Sequence, residues 1–93
     1  MKKIMLFHLE HCPYCIKART ALEELLEEKP AYAEIRIQWI EESVEAELAG
    51  RYDYYYGPTV FYDGRKLYEA SPSQDFAAIK ESLRTALETV LES

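Results

Sequence analysis

The chain has 93 residues, with 11 basic and 17 acidic side chains and a net charge of −6, a length that suits a single domain over residues 1–93. Hydrophobic residues at 48% and charged residues at 30% exclude a disordered chain. No Lys/Arg cluster marks a nucleic-acid face, and no run approaches the roughly 20 apolar residues of a membrane span, so neither is an expected partner. The start, Met1 to Phe7, resembles a leader only faintly. Its apolar run, Ile4 to Phe7, stops at His8, short of the roughly 7–15 apolar residues of a secretory leader. A cytoplasmic location is therefore expected, where a permanent structural disulfide would be unusual.

Ile4-Met5-Leu6-Phe7 is apolar without alternation, the pattern of a central strand covered on both faces. Cys12-Pro13 follows, with Pro suited to the first position of a helix. Cys15, Ala18, Leu22, Leu25 and Leu26 then recur at helical spacing, and Pro30 ends the helix near Lys29. Ala33, Ile35, Ile37 and Trp39 alternate with polar residues, which predicts an edge strand with one wetter face. A second helix is expected over about Glu42 to Arg51, with Val44 and Leu48 inward and its end near Gly50. Asp63-Gly64 between Thr59–Tyr62 and Lys66–Glu69 is a hairpin signal. Ser71-Pro72-Ser73-Gln74 reads as a capping box. The last helix carries Phe76, Ile79, Leu83, Leu87, Val90 and Leu91 on one stripe. The expected fold class is α/β: a mixed four-stranded sheet in the order strand, helix, strand, helix, hairpin, helix. The first two strands should be parallel with a right-handed crossover, and helices should lie on both faces.

The chemistry sits in Cys12-Pro13-Tyr14-Cys15, which holds both cysteines of the chain. A thiol attacks as thiolate, and a helix N-terminus offers free N–H groups and a partial positive charge. Cysteines in such motifs have pKa values lowered to roughly 3.5–7.5. Lys17 and Arg19 can add to this, and Glu10 opposes it. Cys12, at the helix mouth, should attack first. Cys15, one turn in on the apolar side, should be buried and should resolve the mixed disulfide. Closing so short a loop removes little chain entropy, so the bond suits exchange better than structure. Zinc held by Cys12, Cys15, His8 and His11 is a weaker reading, because closed zinc sites usually draw a second ligand pair from a distant segment. No metal is expected.

On these residues the chain resembles the glutaredoxin branch of the thioredoxin superfamily. Cys-Pro-Tyr-Cys is typical of dithiol glutaredoxins, and Gly57-Pro58-Thr59-Val60-Phe61 matches the family's cis-proline motif before the hairpin. The resemblance implies a thioredoxin fold, Cys12 as nucleophile, a cis bond at Pro58 and a Gly57 backbone that pairs with a bound peptide or glutathione. Pro13, Tyr14, Tyr56, Gly57, Pro58 and Thr59 become the candidate substrate-binding residues. The chain departs from the family pattern at Leu9, where a basic residue usually stands, at Tyr56-Gly57 in place of Thr-Val, and at Tyr68-Glu69-Ala70-Ser71-Pro72 in place of a Gly-Gly pair with acidic residues. The resemblance therefore does not extend to glutathione specificity. Thioredoxin's own signature is absent too, since Leu6 stands where a buried Asp would be.

The expected activity is thiol–disulfide exchange, in the reducing direction, on protein or low-molecular-weight disulfides. No permanently bound cofactor is expected. Glutathione is a candidate co-substrate, and the reductant is either glutathione or an enzyme of the thioredoxin-reductase type. The alternatives are an iron–sulfur carrier, with Cys12 as ligand, and a redox-sensing binding module. A monomer is expected. Tyr52, Tyr54, Tyr55 and Tyr56 read either as core closure or as an aromatic wall of the substrate groove. Tyr14 should be exposed, and Trp39 and Phe61 should belong to the core.

Overall fold

The computed structural model describes residues 2–93. Strand β1 (Lys2–His8) leads to helix α1 (Pro13–Glu28), a 3-10 turn (Pro30–Glu34) and strand β2 (Ile35–Glu41). A short helix α2 (Ala46–Ala49), the hairpin strands β3 (Thr59–Tyr62) and β4 (Arg65–Glu69), and helix α3 (Phe76–Glu92) complete it. The sheet order is β2-β1-β3-β4. β1 runs parallel to β2, with Lys2 opposite Ile35, and antiparallel to β3, with Leu6 opposite Val60. The mixed four-stranded sheet and the edge position of β2 agree with the expectation.

The unbroken apolar run of β1 follows from its central place. Ile4 and Leu6 point into the main core with Ala18, Leu22 and Leu25 of α1 and with Ile79, Leu83, Leu87 and Val90 of α3. Phe7 points to the other face, where Ile40 and Phe61 join it and Leu48, Tyr52 and Tyr54 pack from outside. Two cores on one strand leave it no wet side, hence no alternation. Across the outer surface of α1 and α3, Lys80 bridges Glu24 at 2.7 Å and Glu28 at 2.5 Å, and Arg84 bridges Glu28 at 3.0 Å. Such exposed pairs align the helices more than they stabilise them.

The hairpin turns on Asp63 and Gly64, both at positive φ, 51° and 78°. That is the pair of angles a two-residue type I′ turn demands. Four local expectations are corrected. Ala33 lies in the 3-10 turn, not in a strand. Leu26 is 38% exposed and outside the core, because α1 turns its buried face to Ala21 and Leu25 instead. The second helix keeps only Ala46–Ala49: β2 runs on to Glu41, whose carboxylate accepts from Ser43 N at 2.7 Å and Ser43 Oγ at 2.8 Å and turns the chain. Val44 is left 79% exposed, while Leu48 stays half-buried on Phe7. Finally, α3 starts at Phe76 and not at Pro72. Gln74 does reach back to Ser71 N, at 3.2 Å, but Asp75 provides the cap, accepting from Ala78 N at 2.8 Å.

Candidate active site

Cys12 is the N-cap of α1, Pro13 its first residue, and Cys12 O accepts from Ile16 N at 2.9 Å. Pro has no N–H to lose at that position, and its fixed φ starts the helix. Both thiols are free. The Cys12 side chain is half-buried, whereas Cys15, one turn in beside Ala18 and Leu22, is 1% exposed. Leu9 N donates to Cys15 Sγ at 3.4 Å.

Burial pushes the Cys15 thiol from its ordinary 9.0 up to about 12, against the Leu9 N–H; the neighbouring Cys12 sulfur and the Glu42 carboxylate push in the same direction as burial. Cys15 is therefore a protonated thiol at neutral pH. The sign follows: the folded chain holds this proton more tightly than the unfolded one, so the reduced protein keeps its full stability below 9.0 and loses part of it as pH rises through about 12. Iodoacetamide at about pH 7 should alkylate Cys12 and spare Cys15. Labelling of Cys15 should climb about tenfold per pH unit up to about 12. Equal labelling of both thiols at about pH 7, read by peptide mass, would contradict this assignment.

A cleft of about 300 Å³ opens beside Cys12. Leu9, Cys12 and Tyr14 form one wall, Tyr55, Tyr56 and Gly57 a second, and Ala70, Ser71 and Pro72 a third, with Glu42 also facing in. The Gly57–Pro58 peptide bond is cis. A Cβ on Gly57 would sit 3.4 Å from Glu42 Oε1, 3.6 Å from Cys15 Sγ and 3.6 Å from Phe7 O, so glycine lets this stretch of backbone come close to the sulfur. Thr59 Oγ1 donates to Tyr56 O. Glu69 Oε2 accepts from Tyr55 N at 2.6 Å and Tyr56 N at 2.9 Å while its other oxygen pairs with Lys66 at 2.7 Å.

The structure thus brings Cys12, Tyr14, Tyr56 and Gly57 to one cleft, with Cys15 beneath. It separates others. Pro13 is exposed but does not line the cleft, and Pro58 and Thr59 are fully buried, so Thr59 can act only by holding Tyr56. Tyr14 is half-buried and tied to Pro72 O by its hydroxyl, not freely exposed. The tyrosine segment divides. Tyr52 and Tyr54 stack on Phe7 at 5.0 and 5.1 Å, while Tyr55 (86% exposed) and Tyr56 (53%) form the wall. Trp39 is 40% exposed, a correction: it stands toward the end of the edge strand β2, beside an open hollow, with the His8 ring against it at 5.3 Å. Phe61 is core.

A second hollow, about 380 Å³, is lined by His8, Arg19, Trp39 and Glu41 among others and contains neither cysteine. Burial, then the Arg19 guanidinium, lower the His8 pKa, which favours its neutral form. Arg19 donates to Glu10 O at 2.7 Å and Lys17 lies over the Tyr14 ring at 5.7 Å. Among the described residues, no three His, Cys, Asp or Glu side chains converge as a metal site. No described helix is long and apolar enough to cross a membrane. Sequence reasoning missed Glu42 in the site. Its signal was its place directly after strand β2, at the end of the sheet that also holds Cys12.

The architecture matches solved thioredoxins. A thioredoxin variant from Halobacterium salinarum is similar with a TM-score of 0.59 and 23% identity, over 95% of this chain and 73% of that one. The germline-specific thioredoxin Deadhead of Drosophila melanogaster is similar with a TM-score of 0.64 and 14% identity, over 95% of this chain and 79% of that one. These likenesses define the class of fold as the thioredoxin fold. Within that class, the glutaredoxin family model matches residues 4–67, and the chain belongs to the glutaredoxin family, one of thiol–disulfide redox proteins. No curated protein sequence matches it.

Proposed function

We propose that this protein is a dithiol–disulfide oxidoreductase working as a reductase. The carrying observation is the pair of free thiols: one half-exposed at the mouth of α1 beside the cleft, the other 1% exposed beneath it. Cys12 thiolate attacks a substrate disulfide, forming a mixed disulfide and expelling one substrate thiol. Cys15 gives up its proton and attacks Cys12 Sγ; the Cys12–Cys15 bond forms, the mixed bond breaks, and the second thiol leaves. Two electrons pass from the dithiol to the substrate. Tyr55, Tyr56 and Gly57 receive the substrate chain along the cleft. Protein and low-molecular-weight disulfides are the substrates, and glutathione or a thioredoxin-reductase-type enzyme restores the dithiol in a reducing cytosol.

The test is a single turnover with excess bis(2-hydroxyethyl) disulfide. Pre-reduced protein should lose both thiols together and release two substrate thiols per chain. A protein that keeps two free thiols after prolonged exposure, under conditions that oxidise dithiothreitol, defeats the proposal.

A further inference from the structure

The cleft has an uneven chemistry. Its walls are apolar or neutral, and among the described residues Glu42 is the one charged side chain that lines it. The place of Glu42 is well defined. Its backbone N donates to His8 O at 2.9 Å, and burial together with the nearby Glu42 carboxylate favours the protonated Tyr54 hydroxyl. Glu42 Oε1 and Cys15 Sγ both lie within 3.6 Å of the same point above Gly57, so the carboxylate is at most about 7 Å from the sulfur. The neighbouring charges do not cancel it. Glu69 is neutralised by Lys66 and by the amides of Tyr55 and Tyr56. Lys17 lies over the Tyr14 ring, outside the cleft lining. Among the described residues, no cation lines the cleft to receive a carboxylate next to the sulfurs.

We infer that Glu42 sets the charge preference of this cleft: it favours disulfides flanked by neutral or cationic groups over those flanked by carboxylates, oxidised glutathione among them. This rests on the oxidoreductase reading and adds to it the class of substrate. A unit charge on the wall of the cleft, partly screened by water, changes the encounter by a few-fold for each sign of substrate charge. The effect is greatest for small disulfides that must place their charge close to the sulfur. The preference also differs from a general bias of the −6 chain, because it belongs to one residue.

The test uses three disulfides of similar size: cystamine (cationic), bis(2-hydroxyethyl) disulfide (neutral) and dithiodipropionate (anionic). Each oxidises pre-reduced protein in a single turnover, with rates normalised to those with dithiothreitol, and oxidised glutathione serves as a fourth substrate. The wild-type chain should favour cystamine over dithiodipropionate. Glu42→Gln, which keeps the size and shape of the side chain and removes its charge, should lower that ratio about three- to tenfold, and Glu42→Lys should invert it. Glu27→Gln, an exposed charge on the far end of α1, should leave it unchanged. An unaltered ratio in folded Glu42→Gln and Glu42→Lys, or an equal change in Glu27→Gln, overturns the inference. Absence of reaction with all four disulfides would instead defeat the oxidoreductase reading.

Discussion

Replacing Cys12 with serine should abolish disulfide exchange down to the uncatalysed background, whereas Cys15→Ser should stop the reaction halfway. The asymmetry comes from the burial of the two thiols. Cys12 is half-buried beside the cleft and can reach a partner; Cys15 is 1% exposed and pushed up to about 12. Serine cannot form a disulfide, so Cys12→Ser leaves no first step. Cys15→Ser keeps that step and loses the intramolecular attack that frees the partner. Well-oriented intramolecular groups act with effective molarities of about 10⁵–10⁸ M. Turnover at millimolar external thiol should therefore fall at least about 10²-fold. A mixed disulfide on Cys12 should persist and be visible by intact mass. Wild-type rates in both variants would end the two-thiol mechanism.

The second large effect concerns stability. Phe7→Ala should cost about 3–5 kcal/mol, a large part of the roughly 5–15 kcal/mol that holds a domain of this size together. Phe7 is fully buried and is the ring on which Tyr52, Tyr54 and Phe61 converge, at 5.0, 5.1 and 5.8 Å. Those aromatic contacts are lost along with the buried area, and the hole lies under the segment that leads to Gly57. Exchange activity should therefore fall as well, even in the fraction that remains folded. A urea titration checks the energy. A midpoint no lower than that of Val44→Ala, an exposed and near-neutral control, would refute this account.

The parts of the fold written in short-range pattern were legible in the sequence. The unalternating run of β1, the Asp63-Gly64 turn and the Cys12-Pro13 helix start each encode their structure within a few residues. The central place of β1 and its parallel pairing with an edge strand followed from these elements; the sheet order itself is set by the tertiary pairing of β1 with β3. What failed depended on competition between neighbours. Val44 and Leu48 have helical spacing, but Glu41 captures Ser43 first and turns the chain. Ser71 and Gln74 form their hydrogen bond, yet Asp75 supplies the cap. Trp39 has the alternation of a core residue, and only tertiary structure shows that the cover ends before it. In the site, the cysteines and Gly57 were readable as a motif. Glu42 was not, because its importance arises from the backbone approach at Gly57, a contact between distant parts of the chain.

The tyrosine wall is fastened at two levels. Tyr52 and Tyr54 are seated on Phe7 below, and the amides of Tyr55 and Tyr56 are held by Glu69 above. A loop free to move would have to be ordered by each incoming partner, at a cost in conformational entropy for every side chain immobilised. Here that ordering was completed during folding. For the proposed reaction, the surface a partner would meet is preorganised, and the free energy of contact would go into holding its disulfide over Cys12.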